Sequence, residues 1–146
     1  MDDEIETYGV GYASGVFDMF HIGHLNILRR ARERCETLVV GVASDEYVEG
    51  LKGRSPVVPL VERLEIITAL SLVDEVIIDH SEDKTLAWQE RNFDAIFKGD
   101  DWAGKAKGLR LEEAMRPLGV SVVYFPYTLH TSSTLLRSYL MRPEAV

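Results

Sequence analysis

The sequence predicts one α/β domain built on a doubly wound, parallel, five-stranded sheet with helices on both faces. Segments with strand-like and helix-like patterns alternate along all 146 residues. The strand-like segments are continuously apolar, as expected where helices cover both faces of a parallel sheet. No repeat, low-complexity tract or interdomain linker interrupts this alternation. We therefore assign residues 1–146 to a single domain and expect only residues 1–6 to fray.

The elements follow from local patterns in chain order. Short β-branched runs predict strands, and apolar residues at helical spacing, such as Leu25, Leu28 and Ala31, predict helices. Gly119 is the expected end of the helix before the last strand. The predicted strands span 8–14, 37–42, 75–78, 95–98 and 121–125, and the predicted helices span 22–34, 45–51, 60–70, 85–92, 109–118 and 133–141.

Composition limits the partners and the compartment. A net charge of −8 argues against nucleic acid or an anionic membrane as a partner, although a local cluster of cations can still bind a small anion. No apolar run reaches the length that spans a bilayer. The single cysteine, Cys35, cannot form an internal disulfide, and we expect it to pack at the end of the first helix. These features predict a protein of the reducing cytoplasm.

The turn between the first strand and the first helix is the strongest functional signal. Two of the four histidines, His21 and His24, fall in the first turn of the predicted helix. Gly15 precedes both histidines, and Gly23 lies between them. Free backbone N–H groups and the helix dipole favour an anion there, and glycines allow a close approach to the main chain. The alternative is a pair of histidines that only cap the helix or fill the core. Two histidines in a glycine-bounded turn favour phosphate binding.

Polar residues follow several of the predicted strands directly. His21, Asp45, Lys98 and Tyr127 all come after strand ends. Because ligands bind beyond the carboxyl ends of parallel strands, we expect these residues to converge on one edge of the sheet.

Residues 15–24, which read Gly-Val-Phe-Asp-Met-Phe-His-Ile-Gly-His, resemble the G-x-F-D-x-x-H-x-G-H signature of cytidylyltransferase-like nucleotidyltransferases. The resemblance extends from about residue 8 to residue 140 and implies a Rossmann-like fold. Residues 98–105, Lys-Gly-Asp-Asp-Trp-Ala-Gly-Lys, are similar to a segment of glycerol-3-phosphate cytidylyltransferases. The resemblance thus implies transfer of CMP from CTP, or of another nucleotide from its triphosphate, to a phosphorylated alcohol such as glycerol 3-phosphate. It also implies release of pyrophosphate, a requirement for Mg²⁺ and a homodimer.

The residues at the matching positions receive roles from this resemblance. His21, His24 and Lys52 are the expected catalytic residues. The expected nucleotide-binding residues are Gly15, Val16, Phe17, His21, His24, Asp100, Thr128, Ser132, Ser133 and Thr134. The residues expected to bind the acceptor or stabilise charge are Arg63, Asp18, Asp45, Trp102, Tyr127 and His130. No metal ligands are assigned.

Three of these residues have alternative interpretations. Asp18 is expected to orient a histidine, to touch the metal or simply to cap the helix. Lys52 lies in a segment predicted to be flexible, and an ordinary solvated lysine is its alternative. Arg63 is either a site residue or half of a surface ion pair with Glu62 or Glu65.

The segment before the last helix departs from the family pattern. Tyr127 stands where these enzymes usually have an arginine, and His130 where they have a glycine, so His130 or Arg137 would have to replace the missing cation. Residues 52–60 also resemble sugar-phosphate nucleotidyltransferases of heptose metabolism. An adenylyl- or cytidylyltransferase for a sugar phosphate, another polyol phosphate or a phosphonate is therefore the alternative function. A nucleotide-binding module without turnover is a third hypothesis.

Overall fold

The computed structural model describes residues 5–126 and 132–141. Five strands form one sheet: β1 (Tyr8–Gly15), β2 (Cys35–Ala43), β3 (Glu75–Asp79), β4 (Ala95–Gly99) and β5 (Ser121–Phe125). All neighbouring strands are parallel, in the order β3-β2-β1-β4-β5. The predicted fold class is confirmed, because each predicted strand is present and the sheet is wholly parallel.

The described residues form six α-helices: α1 (Ile22–Glu33), α2 (Asp45–Lys52), α3 (Leu60–Thr68), α4 (Lys84–Glu90), α5 (Ala106–Met115) and α6 (Ser133–Leu140). Leu28 of α1 and Ile67 of α3 belong to the core on one face of the sheet. Ala87 of α4 and Leu111 of α5 belong to the core on the other face. Helices therefore lie on both faces, as predicted. None of the helices within the described part of the chain has the length and apolarity that crossing a membrane would require.

Helix ends are where the predictions and the structure differ. The helix predicted over 109–118 begins earlier, at Ala106, and its α-helical part ends at Met115. A 3₁₀ turn, Arg116–Leu118, follows, because Pro117 has no N–H to continue the α-helical ladder. Gly119 ends the turn with a φ of 70°, which confirms the predicted stop. Cys35 is buried as expected, but it begins β2 rather than ending α1.

The strand order determines where a ligand can bind. The chain leaves β1 towards α1 on one face, whereas it leaves β4 towards α5 on the other face. A crevice consequently opens beyond the carboxyl ends of β1 and β4, at the point where the connections change face. Residues 14–16 at the end of β1 line both of the cavities described next, and Lys98 of β4 lines one of them.

Candidate active site

The two histidines close the first turn of α1. His21 is the N-cap residue, and its Nδ1 accepts a hydrogen bond of 3.0 Å from the backbone N–H of Gly23. Nδ1 of His24 accepts a hydrogen bond of 3.3 Å from the backbone N–H of His21. The rings stack with their centroids 3.8 Å apart. Because both Nδ1 atoms accept, these hydrogen bonds assign the proton of each neutral ring to Nε2. The histidines thus cap the helix with one nitrogen and present a donor at the other.

Asp18 connects three distant segments of the chain. Its carboxylate is buried and accepts hydrogen bonds from the backbone N–H groups of Val57 and Val58, both at 2.8 Å. The same carboxylate pairs with Nη2 of Arg137 at 2.7 Å. The expectation that Asp18 caps α1 is wrong, because His21 is the N-cap residue. Asp18 instead fixes the loop before α3 and the last helix against the loop that follows β1.

The start of α6 lies against the start of α1. The side chain of Ser132 caps α6 by accepting a hydrogen bond of 3.0 Å from the N–H of Leu135. The hydroxyl of Ser133 donates to the backbone oxygen of Asp18 at 2.5 Å and lies 3.4 Å from Nε2 of His21. Two helix N-termini, each favourable to an anion, therefore meet at one place.

A cavity of about 270 Å³ opens between these segments, and we refer to it as the His24 cavity. The polar and charged residues in its wall are Ser14, Asp18, His24, Lys52, Arg54, Ser55, Ser133, Thr134 and Arg137. Within the described residues, three cations in this wall outnumber one carboxylate, in spite of the net charge of −8 for the whole chain. Such a wall is suited to a polyanion.

Lys52 is the last residue of α2, whereas the prediction ends this helix at Leu51 and places Lys52 in the segment that follows. Gly53 follows with a φ of 74° and ends the helix in the left-handed conformation. The side chain of Lys52 is exposed and contributes to the wall of the His24 cavity. The end of α2 therefore positions the backbone of this lysine, while its exposed side chain lies in the cavity wall.

The buried Arg63 forms an ion pair with the partly exposed Asp45 rather than lining an open binding site. Arg63 is 1% exposed, and its Nη2 lies 2.6 Å from the carboxylate of Asp45. The guanidinium also donates to the backbone oxygens of Val16, Ala43 and Val58, each at 2.8 Å. A surface ion pair with Glu62 or Glu65 is thus wrong, and neither member of the pair lines the His24 cavity. Arg63 positions the main chain at Val16, which does line it.

A second, smaller cavity of about 110 Å³ shares the wall residues Ser14, Gly15, Val16 and Val48 with the first. We refer to it as the Lys98 cavity. Its polar and aromatic wall beyond the shared residues consists of Tyr47, Asp79, Glu82, Lys84, Lys98 and Trp102. Asp79 and Lys84 form a buried ion pair of 2.6 Å. Lys98 donates to the hydroxyl of Ser14 at 3.2 Å.

The structure brings many, but not all, of the predicted site residues together. Those in the wall of the His24 cavity are Gly15, Val16, Phe17, Asp18, His24, Lys52, Ser133 and Thr134. His21 and Ser132 stand beside it as helix caps, whereas Trp102 lines the Lys98 cavity. Asp100 lies in an exposed 3₁₀ turn outside both walls. Tyr127, Thr128 and His130 lie outside the described residues.

Several wall residues escaped the sequence prediction. Arg54 was not singled out, although it follows Lys52 by two positions. The buried pair of Asp79 and Lys84 was also missed, because charged residues are rarely buried and local patterns do not mark the exceptions. The position of Asp79 at the end of β3 was the one available signal, since strand ends of a parallel sheet gather around ligands.

Metal binding depends on the donors that are present. Residues 5–126 and 132–141 contain no cluster of three or more His, Cys, Asp or Glu side chains that would hold a metal ion. Mg²⁺ in nucleotide sites commonly takes most of its ligands from phosphate oxygens and water. The donor set is therefore compatible with an ion that arrives with a triphosphate, and no residue is assigned to it.

The cytidylyltransferase-like family matches residues 12–139, a range that contains both cavities. The chain belongs to this family. The cytidylyltransferase-like protein is 37% identical over 116 residues to an FAD synthase of Thermococcus sibiricus, with 77% of each chain covered. It is 45% identical over 95 residues to an ethanolamine-phosphate cytidylyltransferase of Arabidopsis thaliana, which covers 62% of this chain but only 22% of the relative.

A solved structure of similar fold is the lipopolysaccharide core biosynthesis protein of Thermoplasma volcanium. Its identity to the cytidylyltransferase-like protein is 28% and its TM-score is 0.70, with 85% of this chain and 99% of that chain covered. Together with the curated relatives, these matches identify the protein as an enzyme that transfers a nucleotidyl group. Neither curated relative is named as a glycerol-3-phosphate cytidylyltransferase, so these matches do not identify the acceptor.

Proposed function

We propose that this nucleotidyltransferase transfers CMP from CTP to a phosphorylated alcohol such as glycerol 3-phosphate and releases pyrophosphate. The observation that carries the proposal is the histidine cap of α1. Its two Nε2 donors stand at the start of a helix, beside a cavity whose wall carries three cations and one carboxylate. A polyphosphate matches that combination of donors and charge.

The triphosphate would bind in the His24 cavity. There the imidazole donors and the hydroxyls of Ser133 and Thr134 would contact phosphate oxygens, with Lys52 and Arg54 adding charge. Arg137 would complete the wall from α6, although Asp18 already neutralises part of its charge. Mg²⁺ is proposed to enter with the triphosphate, bound mainly by its oxygens.

The reaction is a displacement at the α-phosphorus. An oxygen of the acceptor's phosphate would form the new P–O bond, while the bond from the α-phosphorus to the bridging oxygen breaks and its electron pair leaves with pyrophosphate. The acceptor phosphate is ionised at neutral pH, so the protein need supply neither a nucleophile nor a general base. Positioning the reactants and stabilising the spreading negative charge would account for the catalysis.

The identity of the nucleotide has one competing candidate. The relative from Thermococcus sibiricus is named as a synthase of FAD, a molecule that contains an adenylyl group. The Arabidopsis relative is named as a cytidylyltransferase. An adenylyl- or cytidylyltransferase for a sugar phosphate, another polyol phosphate or a phosphonate is therefore the second proposal. A homodimer stays a prediction from the resemblance.

Pyrophosphate release across a matrix of triphosphates and phosphorylated acceptors tests these proposals. We expect turnover with CTP and glycerol 3-phosphate and none with the unphosphorylated alcohol. Turnover with ATP alone would replace the CTP assignment with the second proposal. Tight binding of nucleotide in a calorimeter without product from any acceptor would instead indicate a nucleotide-binding module.

Replacing Lys52 with methionine is expected to lower kcat by about 10–100-fold, because it removes one cation from the transition state and keeps most of the length of the side chain. Initial rates at saturating triphosphate and acceptor would measure this loss. Lys107→Met is the matched control, since Lys107 is exposed and outside the His24 cavity. Equal rates for both variants would remove Lys52 from the proposed mechanism.

A further inference from the structure

The side chain of Tyr12, in β1, carries a hydroxyl that the fold buries without a hydrogen bond. Tyr12 is 0% exposed, and its Oη is the one buried side-chain polar atom among residues 5–126 and 132–141 that lacks a partner. An unsatisfied hydroxyl destabilises the interior, because it gives up its hydrogen bonds to water on folding. Phenylalanine would fill the same space without this cost, so the hydroxyl needs another explanation.

The surroundings of the Tyr12 ring determine where its hydroxyl points. The ring stacks on Phe93 with the centroids 4.6 Å apart and an interplanar angle of 10°. A Cβ atom on Gly41 of β2 would lie 1.9 Å from Oη, so the hydroxyl lies directly against the main chain of β2. β3 is the next strand of the sheet, and its last residue is Asp79. The hydroxyl thus extends from β1 across β2, on the side where β3 ends in a carboxylate.

The Asp79 carboxylate acts on this hydroxyl. Burial raises the pKa of Tyr12 above its ordinary range, the charges of Asp79 and Glu90 raise it further, and so does Asp79 as an acceptor. No hydrogen bond of normal length and angle joins Tyr12 to Asp79, however. Asp79 is instead paired with Lys84, whose Nζ lies 2.6 Å from its Oδ2. Two donors therefore face one buried carboxylate, and of these two only Lys84 is bonded to it.

Lys84 is buried, yet it also lines the Lys98 cavity. Its Nζ donates to the backbone oxygen of Ser81 at 2.7 Å and lies 3.5 Å from the hydroxyl of Tyr47. Movement of this ammonium towards an anion in the cavity would leave the Asp79 carboxylate buried without its cation. Breaking a buried ion pair in this way is strongly destabilising. A second donor to the carboxylate would offset part of that cost.

We propose that Tyr12 is the second donor of Asp79, and that the carboxylate exchanges Lys84 for Tyr12 when an anionic group in the Lys98 cavity draws the ammonium away. The Tyr12 hydroxyl is unsatisfied before the exchange and donates to a charged acceptor after it, so its presence shifts the balance towards the exchanged state. Tyr12 is a positioning residue, because it acts through Asp79 and Lys84. Its role in turnover rests on the proposed nucleotidyl transfer, whereas the exchange itself does not.

Urea unfolding of four proteins tests the exchange without a substrate: the wild type, Tyr12→Phe, Lys84→Met and the double variant. In the wild-type background, Tyr12→Phe should leave the unfolding midpoint unchanged or raise it, because the lost hydroxyl has no partner. In the Lys84→Met background the same substitution should lower the midpoint, because the hydroxyl has become the donor to Asp79. Equal shifts in both backgrounds would overturn the proposal. So would a lower midpoint for Tyr12→Phe alone.

Tyr124→Phe is the matched control. The Tyr124 hydroxyl already donates to Glu112 at 2.8 Å, so its removal should lower the midpoint equally in both backgrounds. Lys84→Gln takes the place of Lys84→Met if the methionine protein does not fold. NMR of tyrosines labelled at the ζ carbon gives a direct readout, in which the Tyr12 signal should move in the Lys84 variant and the Tyr124 signal should not. A Tyr12 signal that stays in place would overturn the exchange.

Activity separates this role from a purely structural one. With whichever acceptor gives pyrophosphate, Tyr12→Phe should lower kcat/KM by about tenfold, the size of one hydrogen bond to a charged group, although the protein is no less stable. Tyr124→Phe should keep the wild-type kcat/KM at temperatures where it is folded. An unchanged kcat/KM in Tyr12→Phe would overturn the role of Tyr12 in turnover. If no acceptor gives pyrophosphate, the proposed nucleotidyl transfer fails, and the unfolding experiment still decides whether the exchange occurs.

Discussion

Replacing His24 with asparagine is expected to lower kcat by about 10²–10³-fold, the loss seen when one donor to a developing oxyanion is removed. The asparagine Oδ1 can occupy the position of Nδ1 and accept the N–H of His21, so the helix cap is kept. What the variant lacks is a donor at the reach of Nε2. Steady-state rates at saturating substrates, with thermal unfolding monitored in parallel, would separate the two roles.

The comparison with alanine sharpens this prediction. His24→Ala should lose a similar amount of kcat and should also lose stability, because the backbone N–H of His21 no longer has its side-chain acceptor. His80→Asn is the matched control, since His80 is exposed and distant in sequence from the cap. If His24→Asn retained the wild-type kcat, the imidazole would have no part in stabilising the transition state.

Replacing Asp18 with alanine is expected to lower the free energy of unfolding by about 3 kcal/mol or more. The substitution leaves the N–H groups of Val57 and Val58 without their acceptor and the guanidinium of Arg137 without its carboxylate. Activity should fall with stability, because the three segments that Asp18 joins all contribute to the His24 cavity. Urea unfolding gives the free energy, and rates below the unfolding transition give the activity.

Asp94→Ala provides a matched carboxylate control for this experiment. Asp94 is exposed, and its side chain accepts a hydrogen bond of 2.9 Å from the N–H of Val10. Its loss should therefore cost about 1 kcal/mol. Similar free energies of unfolding for the two variants would contradict the anchoring role of Asp18. A destabilised Asp18 variant with undiminished kcat would show that the segments need not be held together for catalysis.

The fold was predictable because its determinants are local. Continuous apolar runs define buried parallel strands, and helical spacing defines the helices between them. Gly119 marked a helix end correctly, whereas the start of α5 at Ala106 was missed because residues 106–108 offer no apolar periodicity. The strand order β3-β2-β1-β4-β5 depends on which face each crossover takes, which the pattern alone does not specify.

The candidate site was predictable where its residues are close together in the chain. The two histidines of the cap are three positions apart, and the hydroxyls at the start of α6 are adjacent, so sequence places both correctly. Asp18 and Arg137 are 119 positions apart, and Arg63 and Asp45 are 18 apart. Only the folded chain shows that these charges pair with each other, so their roles as anchors could not be derived from spacing.

The double use of each imidazole in the α1 cap also restricts ring motion. Turning either ring by 180° about its χ2 bond would move Nδ1 away from the amide that it accepts, and the first turn would lose a hydrogen bond. Folding therefore fixes both the orientation of each ring and the nitrogen that holds its proton before a ligand binds. In the proposed mechanism, the orientation of these donors is therefore set during folding rather than during the reaction.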